Sequence, residues 1–230
     1  MSTTPQHIGI ILDGNRRWAK QKGMPSIEGH RRAAYVIEKI ITYLRLQGVH
    51  TITIWVFSTE NWGREQAQVK GLLSLFQEFL EKHSKKAFTE GVRVIHLGRK
   101  DRLSESFRKK IGALESASKD FKNGILNVAL DYGGRDEIIR AIKEMIESDV
   151  NVSNISEELF NEYLDTRDQP HPYPDMIIRT GGEMRLSGFM SWQSAYSELV
   201  VLDKYLPDLT IEDIKDVLKE YAHRKRRFGK

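Results

Sequence analysis

The sequence predicts an α/β fold, with a mainly parallel six-stranded sheet flanked by helices in one domain spanning residues 1–230. Short apolar, β-branched runs alternate with longer segments of helical period. Most runs are continuously apolar, which is typical of strands covered by helices on both faces. No linker, repeat or low-complexity tract divides the 230 residues, a length that suits a single core.

The apolar runs predict six strands, at residues 8–12, 51–57, 92–97, 125–130, 176–179 and 198–202. Between them, four longer helices are predicted around residues 36–44, 69–80, 104–119 and 136–146. Gly48 is typical of a helix end, and Ser156 of a helix start. Thr210, followed three residues later by Asp213, predicts a capped final helix.

Composition excludes several classes of protein. There is no cysteine, which rules out disulfides, thiolate metal sites and cysteine nucleophiles. No apolar run approaches the length of a membrane span, so we expect a cytoplasmic protein. The net charge of +4 is small, and the basic run at residues 224–227 lacks accompanying aromatic residues, so nucleic-acid binding is not expected. The common dinucleotide, NTP, zinc-protease and serine-hydrolase motifs are absent.

The first polar segment, LDGNRRW at residues 12–18, directly follows the first predicted strand. In open α/β sheets ligands bind beyond the carboxyl ends of strands, so this segment lies where a ligand would bind. Gly14 permits close backbone approach, Arg16 and Arg17 supply positive charge, and Asp13 can hold a divalent cation against a phosphate. A capped glycine turn with two solvated arginines is the alternative, and spacing alone favours neither.

Two further polar segments also follow predicted strands. FSTENWGR at residues 57–64 combines hydroxyls, a carboxylate, an amide, an indole and a guanidinium. IRTGGEMRLS at residues 178–187 suits a diphosphate, because arginines make bidentate charged contacts and glycines let backbone amides approach. A polar loop and a flexible turn are the structural alternatives. Glu198, a little further on, can bring a second carboxylate to the same place.

Seven sequence blocks, in this order, resemble the cis-prenyltransferase (isoprenyl transferase) family, which includes undecaprenyl diphosphate synthases. The resemblance runs from His7 to Gly229. The blocks are HIGIILDGNRRWA, GH at Gly29 and His30, FSTENW, YGGR, IRTGGEMRLSGF, WQSAYSEL and RRFG.

The resemblance implies a fold with a long apolar tunnel, in a homodimer. It implies that the protein condenses isopentenyl diphosphate units onto an allylic diphosphate, such as farnesyl diphosphate, forming cis double bonds with Mg2+ required. The expected product is a medium-chain, undecaprenyl-like polyprenyl diphosphate. The enzyme would meet the membrane only peripherally, through its lipid product.

The resemblance also implies roles for individual residues. Asp13 matches the essential acid that acts through Mg2+ on the departing diphosphate, Asn61 the proposed proton acceptor, and Glu198 a Mg2+-linked carboxylate. The cradle of the allylic diphosphate corresponds to Gly14, Asn15, Arg16, Arg17 and His30. Residues that position substrates or lie between them are Trp18, Trp62, Ser58, Thr59, Glu60 and Arg64. The isopentenyl diphosphate site corresponds to Arg179, Arg185, Leu186 and Ser187, and the tunnel to Leu72, Leu73, Phe76 and Leu80.

Some positions depart from the common family pattern and leave primer preference and product length open. Ser26 and Met184 stand where arginine and histidine are often found, and Ala33 replaces a frequent glycine. Two cues to product length conflict, because Val56 is larger than the usual alanine and Gly124 is smaller than the usual leucine.

Two alternatives to this function remain. One is a short-chain cis-prenyl diphosphate synthase. The other is a non-catalytic accessory subunit of the same fold, against which the presence of Asp13, Arg179, Arg185 and Glu198 argues.

Overall fold

A six-stranded, all-parallel sheet forms the centre of the protein, which confirms the predicted fold class. The computed structural model describes residues 4–224, and of residues 83–86 only the backbone. The sheet order is β3-β4-β2-β1-β5-β6, and every neighbouring pair is parallel. The strands are His7–Ile11 (β1), Thr51–Ser58 (β2), Arg93–Leu97 (β3), Ile125–Tyr132 (β4), Met176–Thr180 (β5) and Glu198–Leu202 (β6).

Helices cover both faces of this sheet. Within the described residues, none of them is long and apolar enough to cross a membrane. The α-helices are Asn15–Gln21 (α1), Ser26–Leu46 (α2), Gln66–Thr89 (α3), Glu105–Ser118 (α4), Gly134–Glu147 (α5), Glu157–Asn161 (α6) and Ile211–His223 (α7). Short 3-10 helices are formed by Thr59–Gly63, Val152–Asn154 and Leu206–Asp208.

Helix ends follow local side-chain chemistry. The hydroxyl of Ser156 accepts the backbone N–H of Leu159 at the start of α6. Thr210 and Asp213 form the predicted capping box of α7. Gly48 follows the end of α2 with a φ of 87°, a conformation that glycine adopts without strain.

The largest core lies between one sheet face and helices α2, α3, α4 and α7. Ile8 and Ile10 of β1 and Ile52 and Ile54 of β2 contribute to it and are almost completely buried. A second cluster on the other face is built around Phe189, whose ring stacks on Trp55 at 5.1 Å between centroids. Burial on both faces explains why the central strands are continuously apolar.

Helix α5 differs from what its apolar repeat suggests. Its buried residues include Glu137, Ala141 and Met145, which lie against the domain. By contrast, Ile139, Ile142 and Ile146 are 54%, 42% and 69% exposed. Residues spaced three and four apart share one helix face, so these isoleucines form an apolar stripe that the described part of the chain leaves uncovered.

Arg224 is the last described residue, and it is anchored rather than freely solvated. Its guanidinium donates to the Glu198 carboxylate at 2.6 Å and also pairs with Glu220. The rest of the basic run, and the RRFG block except for this arginine, lie outside the described residues.

Candidate active site

The carboxyl ends of three adjacent strands bring the predicted site residues together. β1 lies between β2 and β5, and its last residue, Ile11, pairs with Trp55 on one side and Arg179 on the other. Asp13 follows β1 and the polar segment from Ser58 follows β2. Because the strands are parallel, these segments meet at one edge of the sheet.

Asp13 is the centre of this group. Its carboxylate accepts a hydrogen bond from the Arg179 guanidinium at 2.9 Å and lies 3.2 Å from that of Arg17. The backbone N–H of Gly14 donates to the same carboxylate at 2.6 Å. The hydroxyl of Thr180 joins the backbone of Asp13 to β5, accepting from its N–H at 3.0 Å and donating to its C=O at 2.7 Å.

The charge state of Asp13 follows from these contacts. Burial opposes its ionisation, but the hydrogen bonds from Arg179 and Gly14 outweigh burial and hold its pKa below the ordinary value. The side chain of Arg179 is only 5% exposed, so the ion pair is shielded on the arginine side. Asp13 is therefore an anionic group held among cations at the edge of the sheet.

A cavity of about 590 Å³ opens beside Asp13 and is rich in positive charge. A side chain on Gly14 would collide with the ring of Tyr205, and its φ of 97° also favours glycine. Such a basic concavity is suited to a phosphate group. Its lining comprises Leu12, Asp13, Gly14, Asn15, Arg16, Arg17, Lys20, Met24, Ser26, His30 and Arg64.

The charge states of His30, Arg64 and Arg16 make the basic cavity, called the cradle below, favourable for an anion. Burial, reinforced by the positive charges of Arg64 and Arg16, lowers the pKa of His30 to about 4, so its imidazole is neutral at pH 7. Burial and the charge of Arg16 also lower the pKa of Arg64. A bound anion would relieve the repulsion between these cations.

Asn15 links the cradle to the strand end. Its side-chain N–H donates to the carbonyl of Leu12 at 3.1 Å, and the same nitrogen lies 3.4 Å from His30 Nδ1. Its amide oxygen Oδ1 is buried without a hydrogen-bond partner among the described residues. This oxygen is a free acceptor at the wall of the cavity.

An apolar cavity of about 240 Å³ adjoins the cradle and shares several of its residues. Ala33, Ala34 and Ile37 of α2 line one side, and Phe76 and Phe79 of α3 line the other. Asp13, Asn61, Arg64, Arg179 and Ser187 are also part of its lining. A charged head group and a hydrocarbon tail therefore have adjoining sites.

The residues predicted to line a tunnel separate into three groups. Phe76 lines the apolar cavity, whereas Leu80 lines a groove between α3 and α4. Leu72 is buried in the main core, and Leu73 packs against the same core.

The segment after β2 is fixed by a capping box. Ser58 N–H donates to Asn61 Oδ1 at 3.2 Å, and the Ser58 side chain accepts from the backbone of Asn61. Thr59 packs against Gly133, whereas Glu60 is exposed. The capping box thus orients Asn61 at the wall of the apolar cavity.

Trp62 attaches this segment to the end of β4. Its indole N–H donates to the carboxylate of Asp131 at 2.8 Å. Arg102 donates to both oxygens of the same carboxylate, at 2.8 and 2.5 Å, and its guanidinium lies 5.4 Å from the Trp62 ring centre. Asp131 is completely buried, so these three side chains form a closed clamp, the Trp62–Asp131–Arg102 clamp.

The segment after β5 brings the second pair of arginines. Arg179 donates to the Ser187 hydroxyl at 2.9 Å and to the carbonyl of Arg185. Glu183 bridges Arg17 at 3.3 Å and Arg185 at 2.6 Å. Leu186 packs against the Phe189 cluster. An anionic ligand can compete with Glu183 for both arginines.

Two predicted residues lie apart from this group. Trp18 donates its indole N–H to Asp208 at 2.8 Å and is absent from the lining of both cavities. Glu198 begins β6, where it pairs with Met176 at the start of β5, three residues before Arg179. At about 3.3 Å per residue that separation is about 10 Å along the sheet. Within one chain, the structure does not bring Glu198 to Asp13.

Lys20 and Thr180 are among the contributors that sequence reasoning missed. Lys20 lines the basic cavity, and its position one helical turn after Arg16 is a signal that could have identified it. Thr180 ties Asp13 to β5, but a buried threonine in a strand carries no distinguishing sequence signal.

The described residues contain no group of three or more carboxylate or histidine side chains able to hold a metal ion. Mg2+ commonly binds one or two carboxylates together with substrate phosphates and water. The ionised carboxylate of Asp13, at the wall of the basic cavity, fits that mode of binding.

Comparison with known proteins agrees with this geometry. A family described as "Putative undecaprenyl diphosphate synthase" matches residues 11–229. The chain is 46% identical to the isoprenyl transferase of Aquifex aeolicus (strain VF5), covering 98% of this chain and 96% of the relative. It is 44% identical to the isoprenyl transferase of Thermotoga maritima, covering 98% and 97%.

Two solved structures share the fold over essentially the whole chain. Lavandulyl diphosphate synthase from Lavandula x intermedia, in complex with dimethylallyl diphosphate, has a TM-score of 0.94 at 32% identity, covering 99% of both chains. A probable undecaprenyl diphosphate synthase from Campylobacter jejuni has a TM-score of 0.83 at 30% identity, covering 100% of both. The chain therefore belongs to the undecaprenyl diphosphate synthase family of isoprenyl transferases.

Proposed function

We propose that this protein is a cis-prenyl chain-elongating transferase. It adds isopentenyl diphosphate units to an allylic diphosphate primer, farnesyl diphosphate in our proposal, and forms a cis double bond at each step. The observation that carries the proposal is the position of Asp13, held by Arg179 where a basic cavity adjoins an apolar one. The structural relative bound to dimethylallyl diphosphate supports an allylic diphosphate as substrate.

The primer occupies both cavities in this proposal. Its diphosphate binds Gly14, Arg16 and Arg17 at the start of α1, with Asn15, His30 and Arg64 completing the cradle. Its tail enters between α2 and α3, where alanine, isoleucine and phenylalanine side chains exclude water. We propose that this space is the entrance of the apolar tunnel.

The isopentenyl diphosphate binds on the β5 side. Its diphosphate displaces Glu183 from Arg185 and is bound by Arg179 and Ser187. The segment Ser58, Thr59, Glu60, Asn61 and Trp62 lies between the two substrates in this proposal. Binding two reactants side by side removes most of the entropic cost of their encounter.

In the reaction, the carbon–oxygen bond of the allylic diphosphate breaks and its electron pair leaves with the diphosphate. The alkene of isopentenyl diphosphate forms the new carbon–carbon bond to the allylic carbon and then loses a proton, for which we propose Asn61 as acceptor. The arginines around Asp13 stabilise the negative charge on the leaving group. Mg2+, held by Asp13 when bound, supplies Lewis-acid stabilisation of the same charge.

Glu198 remains our proposed second metal-linked carboxylate, but it would have to act from a second copy of the chain. We propose a homodimer, supported by the exposed stripe of Ile139, Ile142 and Ile146 on α5, an apolar surface that a second copy would cover. The enzyme is proposed to work in the cytoplasm and to contact the membrane peripherally through its product.

The product proposed is a medium-chain polyprenyl diphosphate of undecaprenyl-like length. The test is incubation of the purified protein with Mg2+, farnesyl diphosphate and labelled isopentenyl diphosphate, followed by sizing of the extracted lipids. We expect a ladder that ends at a defined medium length. A single short product would support the short-chain alternative, and no incorporation with any allylic primer would support the accessory subunit.

A further inference from the structure

A second pocket lies further along α2 than the apolar cavity, next to charged residues. His30, Ala34 and Ile37 line the apolar cavity, and Ile41 and Arg45 continue the same helix face to a second pocket of about 60 Å³. At 1.5 Å per residue, His30 and Arg45 are about 22 Å apart along the helix. The second pocket is lined by Glu38, Ile41, Thr42, Arg45, Phe79, Ala87, Glu90, Val92 and Leu126.

Phe79 of α3 lies between these two cavities. It belongs to the lining of both, with Phe76 on the cradle side and Ala87 on the far side of the same helix. The aromatic ring therefore separates the cavity next to Asp13 from the pocket next to Arg45. A hydrocarbon chain that grows along α2 meets Phe79 first and Arg45 second.

Arg45 forms the end of this passage. Its side chain is 15% exposed, its Nη2 donates to the carbonyl of Asn123 at 3.1 Å, and its Nε lies 3.7 Å from the carboxylate of Glu90. The other terminal nitrogen, Nη1, is buried without a hydrogen-bond partner among the described residues. Burial lowers the pKa of this guanidinium, while the charge of Glu90 opposes the effect.

Gly124 packs directly against this guanidinium. A Cβ atom added to Gly124 would collide with Arg45 Nη1 and would lie 2.7 Å from the carbonyl oxygen of His50. The absence of a side chain at position 124 therefore opens no space, because Arg45 fills it. Gly124 therefore does not indicate a longer product. It no longer conflicts with Val56, which lines the apolar cavity and is larger than the usual alanine.

Both residues oppose further growth of an apolar chain, for different reasons. Moving past Phe79 requires displacement of a half-buried ring that lines both cavities, which costs packing energy. Reaching Arg45 would remove the remaining water from a charged group whose Nη1 already lacks a hydrogen-bond partner among the described residues, and a hydrocarbon chain supplies no hydrogen bond in return, which is unfavourable.

We infer that Phe79 and Arg45 together limit the length of the polyprenyl product, Phe79 as a constriction and Arg45 as a charged floor. This inference rests on the proposed chain-elongating function. It assigns product length to the middle of α3 and the C-terminal end of α2.

The test compares the purified wild-type protein with Phe79→Ala and Arg45→Met, using Mg2+, farnesyl diphosphate and labelled isopentenyl diphosphate. We expect each variant to extend the longest product by at least one isopentenyl unit, and we expect Arg45→Met to leave the first condensation step unchanged. Phe88→Ala is the matched control, because Phe88 is half-buried on the same helix but lines the groove between α3 and α4. Identical ladders for Phe79→Ala, Arg45→Met and wild type would overturn the inference.

A binding measurement separates this inference from the proposed activity. Thermal stabilisation of each protein is measured with allylic diphosphates of increasing tail length, without isopentenyl diphosphate. For the wild type, stabilisation should stop rising at a shorter tail than for Phe79→Ala, and Phe79→Leu should lie between them. The same length dependence in all three would contradict the inference, whereas missing label incorporation alone would contradict only the proposed elongation.

Discussion

At the scale of single residues, the site consists of arginines that are paired with carboxylates or that repel one another. Asp13 neutralises Arg17 and Arg179, and Glu183 neutralises Arg17 and Arg185. Arg16 and Arg64, by contrast, repel each other across the basic cavity. In our proposal the isopentenyl diphosphate replaces Glu183 and the allylic diphosphate relieves that repulsion. Binding therefore exchanges internal ion pairs for contacts with substrate.

Arg185→Ala should weaken the use of isopentenyl diphosphate and leave the use of the allylic primer nearly unchanged. A lost charge-assisted contact is worth about 1.5–3 kcal/mol, so the KM for isopentenyl diphosphate should rise about 10- to 100-fold. Steady-state kinetics with each substrate varied in turn would measure this split. Met184→Ala is the control, since Met184 is the exposed neighbour, and equal kinetics of Arg185→Ala and wild type would refute the assignment.

At the scale of elements, the segment Thr59–Gly63 depends on an attachment far away in sequence. The Trp62–Asp131–Arg102 clamp ties this short 3-10 helix to the end of β4 and to the segment before α4. Because Asp131 is completely buried, its charge depends on Arg102 and Trp62 for compensation. The clamp therefore supports the position of Asn61 through its neighbour Trp62.

Asp131→Ala should lower the free energy of unfolding by about 3 kcal/mol, because it removes a completely buried carboxylate together with its hydrogen bonds from Trp62 and Arg102. Urea denaturation followed by circular dichroism would measure the change. Asp101→Ala is the comparison, since Asp101 is a largely exposed partner of Arg99 and its loss should cost less than about 1 kcal/mol. An equal loss of unfolding free energy in the two variants would show that the clamp stabilises the fold no more than an exposed ion pair does.

Most elements were predictable from sequence, whereas their arrangement was not. Continuous apolar runs predicted the parallel strands, and Ser156 and Thr210 marked helix starts by chemistry that acts locally. The strand order β3-β4-β2-β1-β5-β6 depends on pairing between segments that are distant in sequence. The local sequence pattern does not indicate which strands pair. The isoleucine stripe on α5 shows the same limit, because periodicity identifies an apolar face without identifying what covers it.

For the site, sequence predicted the residues at strand ends better than those elsewhere. Asp13 and Arg179 come together because the ends of β1 and β5 must meet in a parallel sheet. Glu198 begins its strand, and strand beginnings lie at the opposite edge, so its separation from Asp13 was already implied by the predicted strand 198–202. The clamp partner Arg102 lacked any such positional signal.

At the scale of the whole molecule, the uncovered stripe on α5 predicts self-association. Ile142→Glu should convert a dimer into a monomer, because a buried unpaired carboxylate is unfavourable in an apolar interface. Size-exclusion chromatography with light scattering would give the masses. Leu46→Glu, an exposed apolar position at the end of α2, should leave the mass unchanged. A monomeric wild type, or a dimeric Ile142→Glu, would contradict this interface.

The buried histidines predict that acid destabilises the protein. Burial lowers the pKa of His7 to about 3 and of His30 and His96 to about 4. As the pH falls, each histidine therefore binds a proton at a higher pH in the unfolded chain than in the folded protein. Stability present above pH 6.5 is therefore lost as the pH falls towards 4, by about 1.4 kcal/mol per pH unit for each group. Burial raises the pKa of Glu137 to about 7, and this group offsets part of the loss between pH 7 and 4.5.

Urea denaturation at pH 7, 6 and 5 would measure this dependence. His96→Leu should reduce the slope by about 1.4 kcal/mol per pH unit, since it removes one contributing histidine. An unchanged slope of unfolding free energy against pH in this variant would contradict a buried, neutral His96. A wild type that gains stability on acidification would contradict it as well.

We propose that Asp13, held by Arg179 and ionised, is needed for departure of the allylic diphosphate. The most direct measurement compares label incorporation by wild type and Asp13→Asn, with Asp216→Asn, an exposed surface carboxylate, as control. We predict that Asp13→Asn keeps the circular dichroism spectrum of the wild type but loses about 100- to 1000-fold in kcat. Turnover by Asp13→Asn equal to that of wild type and control would contradict this role of Asp13.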